Sequence, residues 1–138
     1  MSDHNRVIQV AVPRPLHSVY DYSVPTSMPI PSLGCRVQVP FGATTTLGIC
    51  VNNQVANPHS RLKPIRALVD AEDSDPAVST ELLDLAKWMS AYYHHPLGEV
   101  LATVLPAAAR RGAEFSITPP DCWHVTVSYT HLTLPTKL

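Results

Sequence analysis

The chain has 138 residues, 45% of them apolar and 15% charged, with a net charge of -1; this predicts one domain or two small subdomains with a real hydrophobic core. No apolar run reaches the ~18 residues of a membrane span, and residues 1–6 lead into no apolar signal segment, so neither a bilayer span nor secretion is expected. Three cysteines, Cys35, Cys50 and Cys122, form no CxxC pair, which argues against a disulfide framework or a zinc site and fits a reducing cytoplasm.

Residues 7–12 (VIQVAV) predict a first strand, ended by Pro13 and Pro15. Residues 19–24 predict a second, followed by a stiff loop carrying Pro25, Pro29 and Pro31. Gly34 supplies a turn. From Cys35 to Val39 apolar and polar residues alternate, with Arg36 and Gln38 on the solvent face of a half-exposed antiparallel strand. Pro40-Phe41-Gly42 ends it, and residues 43–46 read as a hairpin tip. A fourth strand runs from Leu47 to Val51, with Gly48 marking a bulge or a close backbone approach. A polar loop leads to a fifth strand over Ile65–Val69. Five short strands with turn-rich spacing predict a small antiparallel β-barrel over residues 1–69.

The pattern then changes. Residues 70–76 form an acidic linker. Leu82, Leu85, Ala86, Met89, Tyr92 and Tyr93 recur at helical spacing, behind Ser79 or Thr80 as N-cap. His94-His95-Pro96 makes a corner, and Leu97 to Leu105 repeats the helical spacing. The fold class expected is α+β: the barrel, then a helical-hairpin subdomain over 70–112 that leans its apolar stripe on it. Trp88, Tyr92 and Tyr93 are expected in the core or between the subdomains. Residues 107–112 read as a linker, and 113–126 as the start of a connection to a further domain. Residues 127–138 (VSYTHLTLPTKL) look like the translated read-through of a sequencing-library adapter. They are set aside as a non-native tail, and the gene is expected to continue past about residue 126.

Several pieces, in order, resemble one family. They are Val10-Ala11-Val12-Pro13, Tyr20-Asp21-Tyr22, Gly34 through Gly42 (GCRVQVPFG), Gly48-Ile49, Leu62-Lys63, Trp88 with Tyr92 through Gly98 (YYHHPLG), and Leu105-Pro106. Together they are similar to the N-terminal DNA-binding domain of the bacterial replication-restart helicases, the primosomal N′ or PriA family, over roughly residues 6–112. The resemblance implies a module that engages the 3′ end of a nascent DNA strand at a stalled or branched fork. It implies DNA with a free 3′-OH as partner, with single-stranded-DNA-binding protein and other primosome proteins beside it. A full-length member would carry ATP, magnesium and zinc in an ATP-dependent 3′–5′ helicase core. This chain has no GxxxxGK[ST] loop and no helicase box, so no cofactor and no catalytic residue is assigned to it. Position 20 departs from the pattern: Tyr20 stands where Phe is expected, adding a hydroxyl to the pocket.

Asp21 is the sharpest candidate. A carboxylate accepts hydrogen bonds from a terminal hydroxyl or a base edge and repels a terminal phosphate. A surface carboxylate paired with an arginine is the competing reading. Lys63 matches the family pocket and suits a phosphate as a point charge. Phe41 offers a stacking wall and Gly42 a close backbone approach. Tyr20 and Tyr22 share one strand face and Asp21 takes the other, so at least one tyrosine is expected in the core. Residues 1–69 carry six basic groups against two acidic ones, while residues 70–126 carry three against nine. A polyanion therefore fits the first half only. Arg14, Arg36, Arg61 and Arg66 are its candidate phosphate contacts. His94-His95 lacks a third ligand at suitable spacing, so no metal is assigned. The alternative is a monomeric β-barrel that binds a protein through its acidic second half and no nucleic acid.

Overall fold

The computed structural model describes residues 6–55, 61–70, 74–113 and 121. The adapter-like tail and most of the stretch before it lie outside these. Five strands come first: β1 (Val7–Ala11), β2 (Tyr20–Ser23), β3 (Arg36–Phe41), β4 (Thr44–Asn52) and β5 (Ala67–Leu68). They form one antiparallel sheet in the order β2-β1-β4-β3-β5. Three helices follow, α1 (Thr80–Tyr93), α2 (Leu97–Val104) and α3 (Ala107–Arg110).

The sheet is not closed by a continuous ladder. Among the described residues, one isolated bridge lies outside the strand ladders, between Ser23 at the end of β2 and Pro64 in the segment before β5. There the Ser23 N–H donates to the Lys63 carbonyl at 3.1 Å, and the Ile65 N–H donates to the Ser23 carbonyl at 2.9 Å. Ile65 thus belongs to this bridge and not to a strand over Ile65–Val69; β5 itself is two residues long.

Strand alternation gives the sheet two buried faces. Ile8, Val10, Val12, Tyr22, Val37, Val39, Cys50 and Ile65 pack together on one. Ala11, Ile49 and Val51 point the other way and pack with Leu83, Ala86, Val100, Leu101, Leu105 and Ala109 of the helices. The central strands are apolar at successive positions because each face has a cover. Two glycines permit this packing. A Cβ on Gly98 would stand 1.7 Å from the Val12 carbonyl oxygen, and one on Gly48 would stand 2.3 Å from Val10 Cγ1. Gly48 therefore marks a close approach; the irregularity between β1 and β4 falls elsewhere, between Gln9 and Val10.

The turn after β3 is tighter than a tip over residues 43–46. Phe41 pairs with Thr44, and Thr44–Thr46 already belong to β4. Gly42 has φ 61° and Ala43 no positive φ, the pattern of a two-residue type II′ hairpin.

The N-cap of α1 is as expected: Ser79 Oγ accepts from the Leu82 N–H at 3.3 Å. His94 ends the helix in the left-handed region, at φ 52°. The buried stripe is rotated from the expected one, because Leu83 and Ala86 face the sheet while Leu85 is exposed. The same rotation leaves Trp88, Tyr92 and Tyr93 at 55%, 63% and 64% exposure. They are not core residues. They form a surface cluster in which Trp88 and Tyr92 stack at 4.9 Å.

Residues 107–110, expected as linker, form α3, and this changes the place of Arg36. Its side chain is 2% exposed and paired with Asp70, Nη2 to Oδ1 at 2.6 Å. Its Nη1 donates to the carbonyls of Ala109 at 2.9 Å and Ala113 at 2.6 Å. Arg36 is thus no surface phosphate contact. The end of α3 covers the face that alternation assigned to solvent, and Asp70 is an interior ion partner, not a linker residue. Among the described residues, no helix is long and apolar enough to cross a membrane.

Candidate nucleic-acid interface

An open cavity of about 440 Å³ lies where three separated segments meet. The edge strand β2 contributes Tyr20, Asp21 and Tyr22, the β3–β4 turn contributes Pro40, Phe41 and Gly42, and the segment before the edge bridge contributes Arg61, Leu62 and Lys63. Every candidate pocket residue is here, and so is one of the candidate arginines, Arg61. Arg66 is exposed but does not line the cavity. Arg14 lies on its margin, with the guanidinium carbon 5.9 Å from the Phe41 ring centroid.

The position of β2 at the sheet edge resolves the alternation problem. Tyr22 turns inward, is buried, and its hydroxyl donates to the Pro40 carbonyl at 2.9 Å. That bond ties the edge strand to the residue before Phe41 and Gly42. Burial, with a smaller effect of the neighbouring Tyr20, pushes the Tyr22 phenol above its ordinary pKa, so it stays protonated and keeps donating. Tyr20 is half-buried on the same face and meets Phe41 edge-to-face, with centroids 5.3 Å apart, a favoured aromatic geometry. These two rings form the apolar wall.

Asp21 points to the other face, opposite Gln9. An edge strand can still present it to the cavity, because the cavity lies beside the strand and not over one face. The backbone agrees. Ser23 directs its N–H and carbonyl away from β1, toward residues 63–65. By the two-residue period of a strand, Asp21 directs its own N–H and carbonyl the same way. The site therefore offers a carboxylate, a backbone donor and acceptor, an aromatic wall, and the cations of Arg61 and Lys63. Gly42 adds open space, since a Cβ there would meet nothing within 4 Å. Such a set can hold one nucleotide: ring on wall, sugar hydroxyl on carboxylate, phosphate on cations.

Sequence reasoning missed Leu62 and Pro40 as lining residues and listed Arg61 only as a general phosphate contact. The hydrogen bond from Tyr22 to Pro40 has no sequence signal.

Comparison with known proteins shows the family. The family model described as the 3′DNA-binding domain (3′BD) of PriA matches residues 9–106. Replication restart protein PriA of Buchnera aphidicola (subsp. Acyrthosiphon pisum) is 31% identical over 102 residues, 72% of this chain and 14% of the relative. That of Haemophilus influenzae is 29% identical over 123 residues, 88% of this chain and 16% of the relative. That of Rickettsia felis is 31% identical over 101 residues, 73% and 15%. The chain thus spans about a seventh of the length of the curated relatives it matches. On this match and this fold, the chain belongs to the family of PriA 3′ DNA-binding domains.

Proposed function

We propose that the β2-edge cavity receives the 3′-terminal nucleotide of a DNA strand at a stalled or branched fork, as the fork-reading module of a cytoplasmic replication-restart helicase. The observation that carries this reading is the meeting of Asp21, Phe41 with Gly42, and Arg61 with Lys63 at one open sheet edge, from three parts of the chain. Tyr20 and Phe41 stack on the terminal nucleotide. Asp21 accepts from its free 3′-OH and repels a 3′-phosphate, while Lys63 and Arg61 hold the backbone phosphate. Affinity comes from few phosphates and one end-specific pocket, so binding is weak alone, salt-sensitive and indifferent to sequence. The Ser23 contacts support reading the sheet as a small barrel, its wall completed by residues 61–65, with α1 and α2 as a helical hairpin against it. The test is a fluorescence titration of a short oligonucleotide ending in 3′-OH against the same one ending in 3′-phosphate. The hydroxyl end binds better, and Asp21→Ala removes the preference; equal affinities in the intact chain would sink the reading.

The exposed aromatics of α1 favour a second role beside the first. Leu85, Trp88, Tyr92 and Tyr93 make an apolar patch of the kind that marks a protein contact. It suits the protein partners implied for a restart helicase, single-stranded-DNA-binding protein among them. Trp88→Ala with Tyr92→Ala should abolish such a contact while oligonucleotide binding persists; loss of neither would exclude the patch.

A further inference from the structure

Arg14 stands apart from the other exposed cations. It follows the end of β1 and is flanked by Pro13 and Pro15, whose rings fix two backbone torsions. Two successive tight turns close around it: its N–H donates to the Val12 carbonyl at 2.8 Å, and the Leu16 N–H donates to the Arg14 carbonyl at 2.7 Å. Each is a three-residue turn centred on a proline. The side chain therefore leaves from a stiff base. Its guanidinium lies by the Phe41 ring, 5.9 Å from the centroid, and Phe41 in turn meets Tyr20. Arg14, Phe41 and Tyr20 form one contiguous row, of which only the two rings line the cavity. Among the described residues the ion pairs are Arg36–Asp70 and His95–Glu99, and none of the described carboxylates pairs with Arg14.

We propose that Arg14 is a further strand-gripping residue of this domain: held at the Phe41 ring on the cavity margin, it binds a backbone phosphate of the strand where it leaves the pocket. This rests on the pocket reading above and extends it past the terminal nucleotide. A cation on an aromatic ring is already partly ordered, so it loses less side-chain freedom on meeting a phosphate. The planar guanidinium can face the ring and still direct its edge N–H groups at phosphate oxygens. The apolar wall thereby carries its own cation, and the strand is held on both sides of the stacked base.

The test uses the full chain and a 5′-labelled single-stranded oligonucleotide with a free 3′-OH, titrated at several salt concentrations. Arg14→Gln should weaken binding several-fold at low salt and reduce the slope of log K against log salt by about 0.7, the value for one phosphate contact on a single strand. Arg14→Lys should restore most of that slope. The ratio of 3′-OH to 3′-phosphate affinity should stay at its wild-type value in both, because Arg14 lies outside the cavity. An unchanged slope in Arg14→Gln overturns the phosphate assignment, whether or not affinity falls. An altered end preference also overturns it, since Arg14 would then be acting through the pocket wall. Failure of the wild-type chain to prefer 3′-OH overturns the pocket reading itself and is read independently of the Arg14 variants.

Discussion

The molecule uses arginine and aspartate in two opposite ways, at Arg36–Asp70 inside and at Asp21, Arg61 and Lys63 on the β2 edge. Inside, every charge is consumed. Asp70 takes the Arg36 Nη2 at 2.6 Å, the Nε at 3.0 Å and the Arg36 backbone N–H at 2.8 Å, while two carbonyls take Nη1. At the edge, among the described residues, neither Asp21 nor Arg61 nor Lys63 has an ion partner. A buried charge must be fully satisfied by its own protein. A half-exposed charge can remain unsatisfied because water serves until a ligand arrives. The first arrangement holds β3, Asp70 and α3 together; the second is left open to a ligand.

The largest effect should come from breaking the interior pair. Arg36→Ala leaves Asp70 buried without its cation and should cost about 3–5 kcal/mol, read by thermal or denaturant unfolding. The double change Arg36→Met with Asp70→Leu should recover much of that loss, which would show that the penalty is the orphaned charge.

High pH acts on the same interior. Burial pushes the Cys50 thiol from 9.0 to about 12, with nearby Cys35 adding to it. The folded chain then holds a proton that the unfolded chain has released. This stability is whole below pH 9 and drains as pH climbs toward 12, by up to about 1.4 kcal/mol per pH unit. Unfolding followed across that window checks it, and Cys50→Ala should flatten the slope.

Tyr22 belongs to both regions. Tyr22→Phe removes the bond to Pro40 and should cost about 1 kcal/mol, with a further loss of oligonucleotide affinity as the Phe41–Gly42 turn loosens. At the edge the stability effect should be smallest. Asp21→Ala should move stability by less than about 0.5 kcal/mol while abolishing the 3′-end preference. A large loss of stability from Asp21→Ala would collapse the contrast between the two regions.

Much of this was legible in the residues. The strands and the cap at Ser79 follow from alternation, helical spacing and turn chemistry. Asp21, Phe41, Gly42 and Lys63 could be grouped because an ordered set of short motifs resembled one family. Arg36 could not be placed. It alternates with Gln38, and only the fold of residues 107–110 over that end of β3 separates a buried cation from an exposed one. The α1 aromatics misled for a related reason. Leu83 and Leu85 are equally apolar, so the spacing fits two helix rotations, and only the packing of Leu83 and Ala86 against the sheet and α2 separates them. The opposed readings of Tyr20-Asp21-Tyr22 needed one fact absent from a strand pattern, that β2 is an edge.

The contact of Ser23 with residues 63–65 has a consequence for solubility. An unpaired strand edge is a template on which a second chain can add, and proteins that expose one risk edge-to-edge association. Here Ser23 lends its backbone to the segment before β5, so the open part of the β2 edge shrinks to Tyr20–Tyr22. Three residues leave only a short ladder for another strand. So short an opening is a poor template for a neighbouring sheet, and the size of the gap filters what binds there before any side chain acts.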